Sequence, residues 1–560
     1  MKRQGFFLSS AILIFSVLVT KVIGIIYKIP LANLLGGSGM AYFSSAHSAF
    51  MPVFALAVSG ITPAIAKLVS QYVAQGRYRD AVRLRHSSLT FFLFTSTAAT
   101  GLLIILSKLI SYHIVNEPLS RMSIVAIAPC IVIGAVTAVE RGYAEGLRNM
   151  VPTAVSEIIE AIIKLFCGLL LANGTKSRAL SEYNELGTVF GQVCESEEQA
   201  IYLALPYIAA ASVLGITIAN LIAYIYTYLS ARFSKSIITP ELLSHDNIST
   251  PKSELVKGVL RLSFPFALTA LISTISGVID LVTVNHCLEK ACENGLDSSF
   301  FGQFSLGYSE RLESFIYGSY SGLALTVFGI IPSLTAMLGK SALPLVSSAC
   351  AVGNRQKLRE SIKAVILPSL IFAVPCGLGI SVFSEEILKF LFAGRSFEIE
   401  VARRALSVLG IASIPLSLVS PLMSVMQATG SRLFPIAVTA IGNGVKLLLN
   451  CLLITSPKIN ITGAAMATLI AYVVMLICCI IKLRKLAGKG VVSLKNIVSI
   501  AFAAVLSCEG AYLLFSVLSN SLSMRFSFVF SVMFSVNIYI YSIDILSVLP
   551  KYRLKTYFSR

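Results

Sequence analysis

Long apolar runs dominate this sequence, and each is long enough to cross the hydrocarbon core of a lipid bilayer. A helix needs about 20 apolar residues for one crossing, and it satisfies its own backbone groups in lipid, which an open sheet cannot do. The runs lie near residues 6–28, 39–67, 86–112, 121–143, 152–173, 200–229, 257–288, 309–345, 361–383, 401–427, 433–456, 461–483, 493–517 and 524–548. The sequence therefore predicts an all-α, polytopic membrane protein with about 14 transmembrane helices, in which the overlong second and eighth spans are bent or tilted.

The composition indicates that lipid is the solvent for most of the chain. Hydrophobic residues make up 56% of the 560 residues and charged residues only 13%, whereas a soluble domain carries about twice that charged fraction. Most cysteines fall singly within apolar runs, where they pack as small hydrophobic residues. A disulfide between Cys287 and Cys292 is the one pairing that stays possible. These features exclude a soluble enzyme, a disordered chain and a disulfide-stapled secreted domain.

The charge of the chain is strongly basic, with 45 Lys and Arg against 27 Asp and Glu and a net charge of +18. Basic residues concentrate in the cytoplasmic loops of membrane proteins. If the N-terminus is cytoplasmic, most basic residues fall in the inner segments, and the outer segment 174–199 is rich in glutamate. We therefore expect a multi-pass protein of the cell membrane with both termini in the cytoplasm. Because topology explains much of the charge, a nucleic-acid partner is not predicted.

Two pairs of segments indicate an internal repeat. Ser70–Arg83 resembles Ser347–Glu360, and Pro152–Ser156 resembles Pro435–Thr439 at nearly the same offset. The repeat contains six spans, an even number, so its two copies have the same orientation in the membrane. Transporters built in this way commonly bind their substrate between the two halves.

The repeat also predicts the domain boundaries. We expect two pseudo-symmetric six-helix lobes followed by two extra C-terminal helices. The predicted divisions are an N-terminal lobe at 1–235, a C-terminal lobe at 236–486, and the two extra spans with a cytoplasmic tail at 487–560.

No sequence motif indicates an enzyme or a bound cofactor. The segment Leu338–Ser341 reads Leu-Gly-Lys-Ser, but the glycine that a phosphate-binding loop requires is replaced by Leu334. Zinc-protease, nucleophile-elbow and paired-cysteine patterns are missing from the sequence, and the five histidines are scattered. We therefore expect a non-enzyme without a metal centre, driven by the membrane potential or by a Na⁺ or H⁺ gradient.

Ionisable residues within the first and fifth spans are candidate functional groups, because a charge in lipid is costly unless it faces a cavity or a partner. Lys21 and Lys28 share one face of the first span, and Lys21 is expected in a cavity. Lys28 either faces the same cavity or extends to the outer surface. On the fifth span, Glu160 and Lys164 are four residues apart, which predicts a structural charge pair.

A second set of candidate functional residues lies on the seventh and eleventh spans. Asp280 lies in a polar stripe of the seventh span, whereas Asn443 and Lys446 share a stripe of the eleventh. A buried carboxylate needs a cation, so Asp280 and Lys446 form either a charge pair or part of an ion-coupling site for Na⁺ or a proton. The residues alone leave both interpretations open.

The start of the eighth span carries Glu310, Arg311 and Glu313. A guanidinium group binds oxyanions through two parallel hydrogen bonds, so Arg311 beside a cavity suits phosphate recognition. The alternative is a salt bridge with a neighbouring carboxylate at the rim.

Two motifs give the sequence a family resemblance. Thr20–Lys28 reads TKVIGIIYK, which resembles a stretch of the stage V sporulation protein B family, and Glu140–Ala154 is similar to that family's RGxxxGxxNMxPTA segment. The resemblance covers essentially the whole chain. It implies the multidrug/oligosaccharidyl-lipid/polysaccharide (MOP) exporter superfamily, in the branch of MurJ-type lipid II flippases, whose two lobes surround a cationic cavity.

The resemblance also implies roles for individual residues. Glu310-Arg311-Leu312 matches the position of an essential arginine on span 8, and Lys21 stands where the related pattern has an arginine. We therefore assign Lys21, Lys28, Arg311 and Glu310 to the substrate site. The chain departs from the pattern on span 2, where only His47 is ionisable, and Lys446 would compete with a bound Na⁺.

Together these features predict a flippase that moves undecaprenyl-diphosphate-linked peptidoglycan precursor (lipid II) to the outer leaflet by alternating access, for cell-wall or spore-cortex synthesis. The polyprenyl tail would stay in membrane lipid along spans 13 and 14, and cell-wall synthesis proteins are candidate partners. Three alternatives stay open. They are a flippase for another polyprenyl-linked glycan, a cation-coupled multidrug exporter, and a non-transporting scaffold in wall assembly.

Overall fold

The fold is almost entirely helical, as the apolar runs predict. The computed structural model describes residues 6–233, 250–293, 311–351, 355–431, 433–488 and 491–546, together with Ile238 and Leu243. Within these residues the only strands are Thr188–Val189 (β1) and Gln192–Val193 (β2), which form a short antiparallel hairpin. The all-α fold class is therefore confirmed.

The chain divides into two compact units, Met1–Gly322 and Leu323–Arg560. The boundary falls within the eighth predicted span, inside a π-helical turn at Tyr320–Ala324. The lobe boundaries at 235 and 486 come from the sequence repeat and stay a prediction.

Nine helices of the first unit are described. They are α1 (Phe6–Ala57), α2 (Ile61–Ala74), α3 (Tyr78–Leu109), α4 (Arg121–Ile127), α5 (Cys130–Gly146), α6 (Val151–Leu186), α7 (Glu197–Phe233), α8 (Lys252–Glu293) and α9 (Leu312–Ser319). A π-helical turn at Ile110–Ile114 and a 3₁₀ turn at Pro118–Ser120 connect α3 to α4. Among the described helix pairs, α6 and α7 make the most extensive contact.

The described part of the second unit also contains nine helices. They are α10 (Leu325–Phe328), α11 (Ile330–Ala351), α12 (Arg355–Val382), α13 (Ser384–Leu391), α14 (Ser396–Ala428), α15 (Leu433–Leu453), α16 (Ile461–Ala487), α17 (Leu494–Leu518) and α18 (Met524–Ile545). Buried aliphatic side chains of α12, α14 and α16 form the centre of this unit, and α17 and α18 pack on its flank.

The helices are consistent with the predicted number of spans. Eleven described segments are long and apolar enough to cross a membrane, or twelve if one bent pair is a single span. The first of them, Phe15–Ala74, has 60 residues, which is enough for two crossings at about 1.5 Å per residue. Helix α6 has 36 residues but carries several ionisable groups. The protein is therefore a multi-pass membrane protein, and fourteen crossings fit the helices observed.

A bend expected in the overlong spans is present in the eighth span. The eighth span consists of Leu312–Phe328 and Ile330–Gly339, which meet at an angle of 42°. The second span is interrupted between the end of α1 and the start of α2.

Helix α1 also changes direction at Gly36, at the junction of the first two spans. This residue has φ 63°, in the left-handed region that glycine adopts without a steric penalty. Helix α9 packs directly on the bend, since a Cβ on Gly318 would lie 1.7 Å from the carbonyl oxygen of Gly37. The absence of a side chain at Gly318 therefore allows the two backbones to touch.

Candidate functional site

Four basic side chains of the first unit form what we call the basic cluster. Lys21, Lys28 and His47 are on α1, and Lys164 is on α6. Lys21 and His47 are exposed, whereas Lys28 and Lys164 are half-buried. The lysines are close enough to repel one another, and His47 is close to both Lys28 and Lys164. The structure thus brings the two predicted lysines of the first span together and adds two residues to them.

Lys164 is positioned by an aromatic ring. Its ammonium nitrogen lies 5.1 Å from the centre of the Tyr27 ring, within the range of a cation–π interaction. Tyr27 is only 1% exposed. Gly168, one turn further along α6, makes room for the ring, because a Cβ there would lie 2.8 Å from a ring carbon.

The predicted direct ion pair between Glu160 and Lys164 is wrong, because Glu160 pairs with a different residue. A carboxylate oxygen of Glu160 lies 3.2 Å from a guanidinium nitrogen of Arg141, and the same guanidinium donates a 2.9 Å hydrogen bond to Ser156. Arg141 on α5 therefore takes the carboxylate that the helical spacing assigned to Lys164. Glu160 still attracts Lys164, but only through space.

The other acidic group on this part of α6 is also engaged. Ser16 donates a 3.0 Å hydrogen bond to a carboxylate oxygen of Glu157. Within the described residues, no ion pair involves any member of the basic cluster. The cluster is therefore a local excess of positive charge inside a membrane protein, and such groups commonly face a cavity or a substrate.

Arg311 lies in a different environment, directly before α9. Its guanidinium is 2.7 Å from a carboxylate oxygen of Glu313 and donates a 2.9 Å hydrogen bond to the carbonyl of Asn116. Partial burial alone would lower the pKa of Arg311. The carboxylates of Glu313 and Glu117 outweigh this effect and raise the pKa of Arg311 above its usual value. This is the salt bridge with a neighbouring carboxylate that the sequence left open. Phosphate recognition by Arg311 stays a prediction, and Glu310 lies outside the described residues.

Sequence reasoning missed Glu117, a buried carboxyl in the short connection between α3 and α4. It is 2% exposed and accepts a hydrogen bond from Ser314 of α9. The only sequence signal was an acidic residue in a very short turn before Pro118. We define the Glu117 cluster as the residues joined by hydrogen bonds and ion pairs around this carboxyl: Val115, Asn116, Glu117, Asn285, Glu289, Arg311, Glu313 and Ser314.

The predicted ion-coupling residues are all buried. Asp280 of α8 is 6% exposed and lies near Tyr317 of α9. Asn443 and Lys446, both on α15 of the second unit, are 8% and 5% exposed. Whether Asp280 pairs with Lys446 or binds an ion stays a prediction. In the part of the chain that is described, no group of three or more His, Cys, Asp or Glu side chains is arranged to hold a metal ion.

The second unit contains an apolar groove of about 590 Å³. Aromatic side chains of two helices line it, Phe372 of α12 and Phe528 and Tyr539 of α18, together with Phe383 between α12 and α13. At one side, Tyr539 of α18 donates a 2.7 Å hydrogen bond to the carbonyl of Ile371. The groove therefore lies along the two C-terminal helices, where the sequence predicts contact with a polyprenyl tail.

Two family models match the chain. The model described as "Polysaccharide biosynthesis protein" matches residues 8–349, which is more than half of the sequence. The model described as "Lipid II flippase MurJ" matches residues 311–548. The two matches together extend over nearly all of the described helices.

Individual relatives agree with these matches. The Lipid II flippase MurJ of Bacillus subtilis (strain 168) is 22% identical over 84% of this chain and 81% of its own length. Stage V sporulation protein B of the same organism is 23% identical over 83% of this chain and 81% of its own length. A solved structure titled "Lipid II flippase MurJ, inward closed conformation" has the same fold, with a TM-score of 0.65 at 16% identity over 96% of this chain and 98% of the other. The chain therefore belongs to the polysaccharide biosynthesis protein family, among the MurJ- and stage V sporulation protein B-type members of the MOP superfamily.

Proposed function

We propose that the protein is a flippase for a polyprenyl-diphosphate-linked glycan, and that its cargo is the peptidoglycan precursor lipid II. The observation that carries this proposal is the basic cluster, in which Lys21, Lys28 and Lys164 repel one another and no carboxylate of the described residues forms an ion pair with them. Such an arrangement is unfavourable unless an anion enters it, since like charges repel and a charge within a membrane span needs a cavity or a partner. A diphosphate group supplies that anion. The family and its relatives support the same class of cargo.

The tail and the headgroup of such a cargo need different environments. The apolar groove along α17 and α18 suits a polyprenyl chain, because it is lined mainly by aliphatic and aromatic side chains. The basic cluster suits the diphosphate, and the polar sugars would stay in water. Alternating access would then expose the headgroup first to the cytoplasm and afterwards to the outside.

The membrane potential supplies a driving force for this step. A cytosol-negative potential favours outward movement of an anion by about 2.3 kcal/mol per charge at 100 mV. This proposal places the protein in the cell membrane, with both termini in the cytoplasm. It also assigns the protein transport rather than catalysis, in agreement with the names of its relatives.

A second candidate is a flippase for another polyprenyl-linked glycan. It is favoured by the family model that matches most of the chain, whose description is the broader "Polysaccharide biosynthesis protein". Both candidates share the diphosphate and the polyprenyl tail, so the basic cluster serves either. A multidrug exporter for cationic drugs is disfavoured by the positive charge of that cluster.

Rescue of a bacterial strain depleted of its own lipid II flippase tests the cargo. We expect growth to be restored and lipid II to reach the outer leaflet, where an externally added enzyme or probe detects it. Tagged protein in the membrane fraction serves as the expression control. If the protein is abundant but lipid II stays inside, lipid II is not the cargo. Transport of another undecaprenyl-diphosphate glycan in proteoliposomes would then support the second candidate.

A further inference from the structure

The Glu117 cluster ties a short turn to two helices that are distant in sequence. Asn285 of α8 donates a 2.8 Å hydrogen bond to the carbonyl of Val115, and Asn116 donates one of 2.8 Å to Glu289 of the same helix. Arg311 donates a 2.9 Å bond to the carbonyl of Asn116. Each of the two residues before Glu117 is therefore fixed by a side chain from beyond residue 280.

The backbone of the turn is suited to this fixed position. Asn116 has φ 54°, a left-handed conformation that asparagine tolerates better than most residues. Its side chain and its carbonyl are both used in the contacts to α8 and Arg311. The turn is therefore held in one conformation from two sides, and Glu117 is carried into the interior.

Glu117 itself is only partly satisfied. The hydroxyl of Ser314 donates to one carboxyl oxygen, whereas the other oxygen is buried without a hydrogen-bond partner among the described residues. An ionised carboxylate with a buried, unpaired oxygen is destabilised, because that oxygen has lost its hydrogen bonds to water. A proton on that oxygen would remove the charge and most of this destabilisation.

The charged groups around Glu117 do not compensate it fully. Within the described residues, those acting on it are Arg311 and Glu313, and Arg311 already pairs with Glu313 and is also attracted by Glu289. Burial raises the pKa of Glu117 to about 7, although Ser314 and Arg311 act in the opposite direction. The carboxyl is therefore able to change its charge near neutral pH, whereas the same group in water stays ionised there.

We propose that Glu117 is a proton-binding site that holds the outer end of the transport path closed when it is protonated. The inference rests on the proposed function and on the predicted lobes, because the Glu117 cluster links the turn between spans 3 and 4 to spans 7 and 8. In the predicted topology this turn faces the outside. Opening would separate the turn from α9 and expose Glu117 to water.

Thermodynamic linkage between proton binding at Glu117 and closure gives the direction of the pH effect. The closed state has the higher pKa at Glu117 and therefore binds the proton more tightly than the open state. Acid stabilises the closed state, and this stabilisation is lost as the external pH rises through the raised pKa. A proton taken up from the outer medium would thus favour re-closing after the headgroup has been released.

The accessibility of Ser319 gives a direct readout of opening. Ser319 lies five residues beyond Ser314 on α9, is 0% exposed and faces Gly37 at the bend of α1. We would introduce Ser319→Cys into the full-length protein and label intact cells with an impermeant maleimide at several external pH values. Because maleimide reacts faster at higher pH, the rate is divided by that of Ser181→Cys, an exposed residue on the same predicted side.

We expect the normalised labelling of Ser319→Cys to rise at least about threefold as the external pH increases from about 6 to about 8. Glu117→Gln should keep labelling low and abolish its pH dependence. Ser314→Ala removes a hydrogen bond that favours the charged form, so it should move the midpoint to higher pH. Glu145→Gln is the matched control, because Glu145 also accepts a hydrogen bond from a single hydroxyl, that of Thr153, but lies at the other predicted face.

The inference is overturned if normalised labelling is independent of pH, or if its pH dependence survives Glu117→Gln. If the Glu117→Gln protein fails to reach the membrane, the midpoint shift of Ser314→Ala becomes the deciding measurement. An unchanged midpoint in Ser314→Ala then overturns the inference. Labelling requires no cargo. If labelling changes with pH but the depleted strain is not rescued, the proton site is retained and lipid II is rejected as the cargo. If the strain is rescued but labelling is independent of pH, lipid II is retained as the cargo and the proton site is rejected.

Discussion

The ammonium group of Lys164 lies over the ring of Tyr27, 5.1 Å from its centre, although the two residues are on different helices. Glu160, one turn before Lys164 on α6, pairs with Arg141 instead. A tyrosine that is almost completely buried thus determines where one positive charge of the basic cluster is held.

Substitutions of this pair test that role. Lys164→Gln should strongly reduce rescue of the flippase-depleted strain, because the cluster loses a charge. Tyr27→Phe keeps the aromatic face and should be nearly neutral, whereas Tyr27→Leu loses a cation–π interaction of about 0.5–2 kcal/mol and should be partly active. Equal activity of Tyr27→Leu and the native protein at equal abundance would show that the ring does not position the lysine.

Lys21 and Arg311 distinguish cargo binding from structure. Lys21→Ala should abolish rescue without a change in protein abundance, and Lys21→Arg should be tolerated because the charge is kept. If Arg311 binds phosphate, Arg311→Ala should abolish rescue and Arg311→Lys should be partly active, because lysine lacks the bidentate geometry. If Arg311 only pairs with Glu313, Arg311→Ala should transport lipid II normally, and transport measured in proteoliposomes decides between these results.

The predicted topology can be checked by cysteine labelling from outside the cell. Ser181 and Gln75 are both exposed, and neither needs the left-handed backbone of the neighbouring Gly187 and Gly76. Ser181→Cys should react with an impermeant reagent in intact cells, whereas Gln75→Cys should react only after permeabilisation. The reverse pattern would contradict a cytoplasmic N-terminus.

Asp280 and Lys446 can be tested as a pair. If they neutralise each other, Asp280→Asn and Lys446→Met should each damage transport more than the double variant does, since a single change leaves one buried charge without its partner. If Asp280 binds Na⁺, Lys446→Met should preserve transport or increase its dependence on Na⁺. Similar damage from all three variants would support neither interpretation, and abundance in the membrane is measured for each.

The close approach of α9 to the bend of α1 gives a prediction about stability. Gly318→Ala should destabilise the protein by about 3 kcal/mol or more, because the new Cβ would lie 1.7 Å from the carbonyl oxygen of Gly37. Gly24→Ala is the matched control within α1, since nothing lies within 4 Å of a Cβ at that position. Thermal unfolding of the purified proteins in detergent should separate the two variants, and equal melting temperatures would contradict the packing described.

Hydrophobic patterning was sufficient to predict the helices, because a membrane span depends on local composition alone. The bend in the eighth span was also predictable, since 309–345 is longer than one crossing needs. The break at Gly36 was not, because an apolar glycine-containing segment reads equally well as a continuous helix. Sequence therefore determined where the spans lie better than how they connect.

The contacts of charged residues were less predictable. Glu160 and Lys164 have the spacing of a helical ion pair, but Arg141 from another helix competes successfully for the carboxylate. Glu117 and Ser314 are almost 200 residues apart in the sequence, and no local pattern relates them. Long-range partners of this kind depend on how helices pack, and a single sequence carries little information about that.

The groove along α17 and α18 has a consequence for selectivity. Its volume of about 590 Å³ lies in the range of sites for drug-sized molecules, about 300–1,000 Å³, and is too small to enclose a whole undecaprenyl chain. Most of a bound tail must therefore remain dissolved in the bilayer. The protein would then be nearly indifferent to the number of isoprene units, and a cargo with a shortened prenyl chain should be moved about as well as the full-length lipid.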